Sequence, residues 1–133
     1  MADRLETERL LRGLYAARVS GDLERVCGTF DPEAKFQIAG SSHASLLAMT
    51  AYGVEEFRPL LTIMIKSFRL RDLDILSLLV DGTKAAVHWR VKIYSKMTGE
   101  TLLTELIDMI EVRTGRIVSF TELFTPLGKV TSF

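Results

Sequence analysis

The stretch that decides the fold is TLLTELIDMIEVRTGRIVSFTELF, which occupies positions 101–124. Apolar and polar residues alternate on both sides of Thr114-Gly115, and a period of two is typical of β-strands. The stretch therefore predicts a β-hairpin. It also places two carboxylates, Asp108 and Glu122, on either side of the turn.

The geometry of the turn decides whether these two acids point to the same face of the sheet. The sequence Arg-Thr-Gly at 113–115 fits a three-residue loop, a type I turn followed by glycine in the left-handed conformation. Because side chains alternate along a strand, this loop predicts that Asp108 and Glu122 share one face. A two-residue turn would place them on opposite faces and leave Glu122 in solvent. The three-residue loop predicts these cross-strand pairs: Val112 with Arg116, Asp108 with Phe120, and Glu122 with Leu106.

Length and composition predict one domain that spans residues 1–133. A chain of this length buries roughly two thirds of the surface that it exposes when unfolded. Basic and acidic residues balance at 17 each, so no excess positive charge is available to hold nucleic acid. No apolar run approaches the ~20 residues that span a bilayer, and the charged start lacks the apolar core of a signal peptide. We expect a cytoplasmic protein whose partners include no nucleic acid and no membrane.

The cysteine and the histidines give no support to metal or thiol chemistry. Cys27 is the single cysteine and lies in an apolar stripe beside Val26, which predicts a buried core residue rather than a nucleophile. His43 and His88 are far apart and belong to no Cys or His cluster. We therefore expect no metal site, and the carboxylate chemistry argued below needs no cofactor.

The order of the elements indicates an α+β fold. Two amphipathic helices near the amino terminus begin at signals given by Asp3 with Glu6 and by Asp22. A third helix contains Pro59, which predicts a kink or a start later than Val54. Helices followed by strands predict a helical layer packed on one face of a strongly curved, mixed but mostly antiparallel sheet. The predicted strands cover residues 34–39, 68–80, 84–95, 101–112 and 116–124.

The strand at 84–95 shows which sheet face is buried. Its apolar residues alternate with Ala86, His88 and Arg90, so the apolar set is expected to face the helices. The opposite face is then left to solvent or to a partner subunit. We expect a homodimer through that face, although the register of the strand is open. The apolar set is Val87, Trp89, Val91 and Ile93.

Five short segments, in this order and spacing, carry a family resemblance. They are AARVSGDL at 16–23, FDPEAKF at 30–36, GVEEF at 53–57, IDMI at 107–110 and GRIVSF at 115–120. Together they resemble the nuclear transport factor 2-like superfamily, which includes ketosteroid isomerases, SnoaL-type polyketide cyclases and limonene epoxide hydrolases. The resemblance implies a cone-shaped α+β fold, a pocket for a hydrophobic small molecule and pairing of subunits sheet to sheet.

The resemblance also implies roles for the two acids. Asp108 falls where ketosteroid isomerases hold a protonated aspartic acid in the oxyanion hole. Their tyrosine and their base would fall on Leu14 and Ile38, so those two features are missing. Glu122 falls where the cyclases keep an acid/base carboxylate on the final strand, with Asp108 as its polar partner. The epoxide hydrolases' two aspartates bridged by arginine have no clear counterpart.

Physical chemistry supports a divided role for Asp108 and Glu122. Apolar surroundings and a second carboxylate nearby disfavour double ionisation, so one acid should stay protonated near neutrality. The neutral acid could donate to a developing oxyanion while the ionised acid removes a proton from carbon. This predicts an isomerase or cyclase that abstracts a proton next to a carbonyl of an apolar substrate. The alternatives are a non-catalytic binding protein for a hydrophobic metabolite, or a dimeric assembly or accessory domain whose cavity is filled by side chains. A separate alternative for Asp108 is that it bonds a tyrosine or a backbone group and only anchors the sheet.

The remaining candidates are residues expected around the acids in the pocket. Tyr15 and Tyr52 could donate hydrogen bonds into it, although each also fits the edge of a core. His43 lies in a polar loop at the expected mouth and could contact a ligand. The predicted ligand-binding residues are Tyr15, His43, Tyr52, Phe57, Trp89, Leu106, Ile110, Phe120 and Phe124.

Overall fold

The structure, a computed structural model, describes residues 4–39 and 49–130. In it, the helices pack on one face of a single mixed sheet. The strand order is β2-β1-β6-β5-β4-β3, and β1 runs parallel to β6 while the other neighbours are antiparallel. The predicted α+β class is confirmed. The elements are α1 (Arg4–Ser20), α2 (Leu23–Gly28), β1 (Phe30–Ala39), β2 (Met49–Tyr52), α3 (Val54–Ser67), β3 (Phe68–Asp81), β4 (Lys84–Ser95), β5 (Thr101–Arg113) and β6 (Arg116–Lys129).

The helix starts follow the predicted signals in part. The Asp22 side chain accepts a hydrogen bond from Arg25 N at 3.2 Å and caps α2, whereas Asp3 lies outside the described residues. The predicted late start of α3 is wrong, because the helix begins at Val54 and includes Pro59. Its first turn forms on the carbonyl of Gly53, six residues before the proline, which removes an N–H.

The first two strands differ from the prediction. β1 begins at Phe30 rather than at 34, since Phe30 already pairs with Ile117 of β6 ahead of a register shift that accommodates Pro32. β2 was not predicted as a strand. Its four residues pair with β1, with Lys35 opposite Tyr52, and so form the sheet edge.

The turn between β5 and β6 has two residues, so the predicted three-residue loop is wrong. Arg113 pairs with Arg116, and the positive φ angles of Thr114 (52°) and Gly115 (75°) are those of a type I′ turn. Taken alone, this turn would put the two acids on opposite faces.

A β-bulge next to the turn restores the predicted face. Val112 pairs with Ile117 but Glu111 pairs with Ser119, so Val118 is an extra residue in β6. Beyond the bulge every side chain of β6 has changed face relative to a regular two-residue hairpin. Asp108 and Glu122 therefore share a face, as predicted, but they lie opposite each other rather than opposite Phe120 and Leu106.

The core lies between the helices and the inner face of the sheet. Val87, Trp89 and Val91 are fully buried there, as their alternation predicted. Cys27 is also buried, and burial raises the pKa of its thiol, as expected for a core cysteine. Four phenylalanine rings pack against one another in this core, at centroid distances of 4.9–6.1 Å: Phe30, Phe36, Phe57 and Phe120.

Candidate functional site: an ion pair at an apolar cavity

A cavity of about 310 Å³ lies between α3 and the inner face of the sheet. This volume is at the lower end of the range for small-molecule sites, about 300–1,000 Å³. Its wall is mainly apolar. The charged or hydroxyl-bearing side chains in the lining are Arg18, Thr104 and Glu122. The apolar lining consists of Val26, Ile38, Leu60, Leu61, Met64, Ile65, Phe68, Leu70, Trp89, Ile93, Leu102, Leu106, Phe124 and Pro126.

Glu122 and Arg18 form a bidentate ion pair at this cavity. Arg18 Nη1 donates to Oε2 at 2.6 Å and Nη2 donates to Oε1 at 3.2 Å. The Arg18 side chain is 14% exposed and the Glu122 side chain is 4% exposed. Burial would raise the pKa of Glu122, but the charge and hydrogen bonds of Arg18 outweigh it and hold that pKa below its usual range. Burial also acts to lower the pKa of Arg18, yet the charge of Glu122 raises it overall. Both groups are therefore charged near neutrality.

Asp108 lies opposite Glu122, and its pKa is shifted in the opposite direction. Its Oδ2 accepts hydrogen bonds from the hydroxyl of Tyr15 and from Trp89 Nε1, the latter at 2.8 Å. Burial, followed by the negative charge of Glu122, raises the pKa of Asp108 well above its usual range. Oδ1 is buried, and no N–H or O–H group of the described residues donates to it. Because Oδ2 already accepts two donors, the proton of a neutral Asp108 belongs on Oδ1.

Trp89 connects the charged pair to the neutral acid. Its indole N–H bonds Asp108, while the Arg18 Cζ atom lies 5.0 Å from its ring centroid, a cation–π distance. The Tyr15 ring packs on the same indole at 5.1 Å between centroids. One side chain of β4 thus contacts Arg18, Asp108 and Tyr15 at once and holds them in a fixed relation.

Four of the predicted site residues meet at the cavity. Glu122, Trp89, Leu106 and Phe124 line it. Asp108 lies next to Glu122 on the neighbouring strand, but its side chain is fully buried and is not part of the lining. The prediction that both acids face one hollow therefore describes Glu122 but not Asp108.

The other predicted ligand residues lie elsewhere. Ile110 and Phe120 pair on the turn side of the acids, whereas the cavity extends in the other direction, so both fill the core. Phe57 is fully buried against Phe36. Tyr52 is 62% exposed, because the edge strand turns it outward.

Two candidates remain to be placed. His43 lies outside the described residues. Tyr15 is 2% exposed and is part of a separate, open depression between α1 and β3, while its hydroxyl reaches Asp108 rather than the cavity. Tyr15 therefore bonds the acid and is not part of the cavity lining.

The sequence analysis missed Arg18 and Thr104. Arg18 follows Leu11 and Leu14 at spacings of seven and four, so it continues the buried stripe of α1. A charged residue in an apolar stripe signals a buried partner. Thr104 falls two positions before Leu106 in the inward alternation of β5, a weaker signal.

Neither a metal-binding cluster nor a membrane-spanning helix occurs among the residues that the structure describes. Within residues 4–39 and 49–130, no cluster of three or more His, Cys, Asp or Glu side chains is placed to hold a metal ion. None of the described helices is long and apolar enough to cross a membrane.

Within the described residues, three helices pack on one face of a six-stranded mixed sheet, the arrangement of nuclear transport factor 2-like proteins. A family model described as a SnoaL-like domain matches residues 11–120. The chain belongs to the SnoaL-like domain family, and the predicted superfamily is confirmed. No curated protein sequence is significantly similar to the chain.

Solved structures share this fold at low sequence identity. A Bacillus subtilis protein named provisionally as an isomerase has a TM-score of 0.84 and 19% identity, covering 96% of this chain and 91% of its own. A provisionally named polyketide cyclase from Xanthomonas campestris pv. campestris has a TM-score of 0.75 and 19% identity, covering 93% of each chain. An epoxide hydrolase from M. tuberculosis, named as LEH-like, has a TM-score of 0.73 and 15% identity, covering 91% of this chain and 84% of its own. At such identities the similarity shows the fold alone.

Proposed function

We propose that the protein is a cofactor-independent isomerase or cyclase that removes a proton from the carbon next to a carbonyl group of an apolar substrate. The observation that carries this proposal is an ionised carboxylate, Glu122, in the wall of an apolar cavity and paired with Arg18. Membership of the SnoaL-like family and the names of the isomerase and cyclase neighbours support it.

Glu122 is the proposed base and Arg18 the proposed oxyanion stabiliser. A guanidinium group has five N–H donors, and Arg18 uses two of them on Glu122. The other three have no hydrogen-bond acceptor among the described residues, so they can bond a carbonyl oxygen that enters the cavity. When Glu122 takes the proton from carbon, negative charge moves from its carboxylate to the enolate oxygen, and Arg18 remains next to both. The net charge of the buried site is unchanged during this step, which keeps its electrostatic cost low.

Asp108 is proposed to act through Glu122 rather than on the substrate. A neutral carboxyl opposite the base adds no second negative charge, and its proton can be donated to the Glu122 carboxylate, with which Asp108 shares a side-chain hydrogen bond. An ionised Asp108 would repel that carboxylate across the strand pair. We therefore assign Asp108 the part of a positioning residue, which holds the base in its ionised, oriented state.

Hydrogen–deuterium exchange tests the base directly. In heavy water, the wild-type protein should speed exchange of the hydrogens next to the carbonyl of an apolar methyl ketone. Glu122→Gln keeps the side-chain shape but removes the base, and should slow this exchange by about 10²–10⁴-fold. Glu111→Gln, on the same hairpin but outside the cavity lining, is the matched control and should exchange like the wild type. Equal exchange in wild type and Glu122→Gln would rule out Glu122 as the base.

A non-catalytic binding protein is the second candidate, and one observation favours it. The ion pair with Arg18 lowers the pKa of Glu122, and a carboxylate of lower pKa is a weaker base toward carbon. A wild-type protein that binds the ketone but leaves its hydrogens unexchanged would establish this alternative.

We also propose a homodimer through the outer face of the sheet. Three apolar side chains of neighbouring strands are exposed there, Ile107 (41%), Met109 (51%) and Leu123 (43%). Beside them Glu105 bonds His88 and Arg90, so this face offers both an apolar centre and charges of both signs. Such a surface can pair with a second copy of itself about a two-fold axis.

A further inference from the structure

Thr104 places a hydroxyl group in the otherwise apolar part of the cavity wall. The residue is 3% exposed and lines the cavity. Its Oγ1 donates to the carbonyl of Leu102 at 3.4 Å, which is at the long limit for a hydrogen bond. A threonine hydroxyl also has two acceptor lone pairs, and no described residue donates to them. A buried hydroxyl with unused acceptor capacity is suited to a ligand.

The position of Thr104 sets its distance from the ion pair. Thr104 is opposite Pro126, and Asp108 is opposite Glu122, so both pairs of β5 and β6 point to the same face. Four residues of strand separate them, which corresponds to about 13 Å. The intervening wall is apolar, formed by Leu106 and Phe124. The cavity thus has two polar points joined by an apolar section, and its wall continues past Thr104 to Leu102 and Ile93.

The charges at the ion-pair end restrict the ligand further. Arg18 is balanced by Glu122, and the raised pKa of Asp108 keeps that acid neutral. A carboxylate or an amine in the ligand would therefore bring an unmatched charge into an apolar cavity, which costs several kcal/mol. A neutral oxygen function brings no such cost.

We propose that Thr104 is a second ligand-binding subsite, and that the substrate is a neutral, elongated molecule with a carbonyl group at Arg18 and a hydroxyl group at Thr104. With one hydrogen bond at each end, the two oxygen atoms would be roughly 7–13 Å apart, depending on whether the bonds lie along the strand or across it. The ligand hydroxyl donates to Oγ1 of Thr104. This inference rests on the proposed function, because it takes the carbonyl end from it.

Two matched probes test the subsite. One is a straight-chain methyl ketone of about eleven carbons, and the other has a hydroxyl group in place of its terminal methyl. In calorimetric titration, the hydroxyl ketone should bind wild type about three- to tenfold more tightly than the methyl ketone, as expected for one neutral hydrogen bond. Thr104→Val keeps the shape and removes the hydroxyl, so this preference should disappear. Thr104→Ser should retain it.

The outcomes separate the subsite from the proposed reaction. The subsite would be refuted if Thr104→Val prefers the hydroxyl ketone as strongly as wild type does, or if wild type shows no preference. This holds even if Glu122-dependent exchange is observed. A preference that depends on Thr104 without any exchange would establish the subsite in a binding protein and refute the reaction. Failure of both ketones to bind wild type would overturn both. Melting temperatures of the two Thr104 variants show whether the fold is intact.

Discussion

Replacing Asp108 with asparagine should change how the stability of the protein depends on pH. Asparagine has nearly the same shape as a neutral aspartic acid. Its amide oxygen can accept from Tyr15 and Trp89 as Oδ2 does, and its NH₂ group takes the place of the protonated Oδ1. Unlike aspartic acid, it cannot ionise. Asp108→Asn therefore removes the ionisation of residue 108 and keeps its hydrogen bonds.

The change in the free energy of unfolding with pH follows from the direction of the Asp108 pKa shift. The folded-state pKa of Asp108 lies well above the unfolded value of about 3.9, so folding takes up a proton between these two values. In that window the free energy of unfolding of the wild type falls by about 1.4 kcal/mol per pH unit as the pH rises. The pKa of Glu122 is lowered, so its contribution is lost only as the pH falls through its folded-state pKa, below its unfolded value of about 4.3. Above about pH 5 the slope therefore reports Asp108 rather than Glu122.

Urea denaturation of both proteins at intervals from about pH 5 to pH 8 measures this difference. Relative to wild type, Asp108→Asn should become more stable by about 1.4 kcal/mol for each pH unit, until the wild-type acid ionises. Asp74→Asn, at an exposed position of β3, is the control and should run parallel to wild type. Parallel curves for Asp108→Asn and wild type would refute the raised pKa, and with it the neutral acid behind the base.

Three further predictions concern the ion pair, the sheet face and the cysteine. Arg18→Met leaves Glu122 as an unpaired buried charge and should lower the free energy of unfolding by about 3–5 kcal/mol in urea denaturation near neutral pH. The double variant Arg18→Met with Glu122→Leu should recover much of this loss, and an equally large loss in both variants would contradict the pairing. Met109→Lys should convert a dimer to a monomer in light scattering, whereas Met97→Lys in the exposed β4–β5 turn should not; a monomeric wild type would remove the proposed dimer. Cys27 should resist alkylation in the folded protein and react once the protein is unfolded in urea, because burial both covers its thiol and raises its pKa; rapid alkylation of the folded protein would contradict this.

The shared face of the two acids was predictable, but the stated reason for it was wrong. Alternation along the hairpin fixes the relative faces of side chains only if the turn and every bulge are known. Thr114 adopts φ 52°, a left-handed conformation unusual for a β-branched residue, and no local pattern announces the extra residue Val118. These two departures cancel, so the predicted face was correct while the predicted partners were not.

The ion pair was not predictable from local sequence patterns. Arg18 and Glu122 are 104 positions apart and meet because α1 packs across the sheet. Periodicity reports which face of an element is buried, but not which residue of a distant element it meets. The same limit applies to β1, whose parallel pairing with β6 begins at Phe30, ahead of Pro32.

The proton on Asp108 beside an ionised Glu122 can be observed directly by carbon-13 NMR of the side-chain carboxyl groups, titrated with pH and assigned with Asp108→Asn and Glu122→Gln. At pH 7 we predict the chemical shift of a protonated acid for Asp108 and that of a carboxylate for Glu122. Two carboxylate signals at that pH, or a proton on Glu122 instead of Asp108, would contradict the site described above.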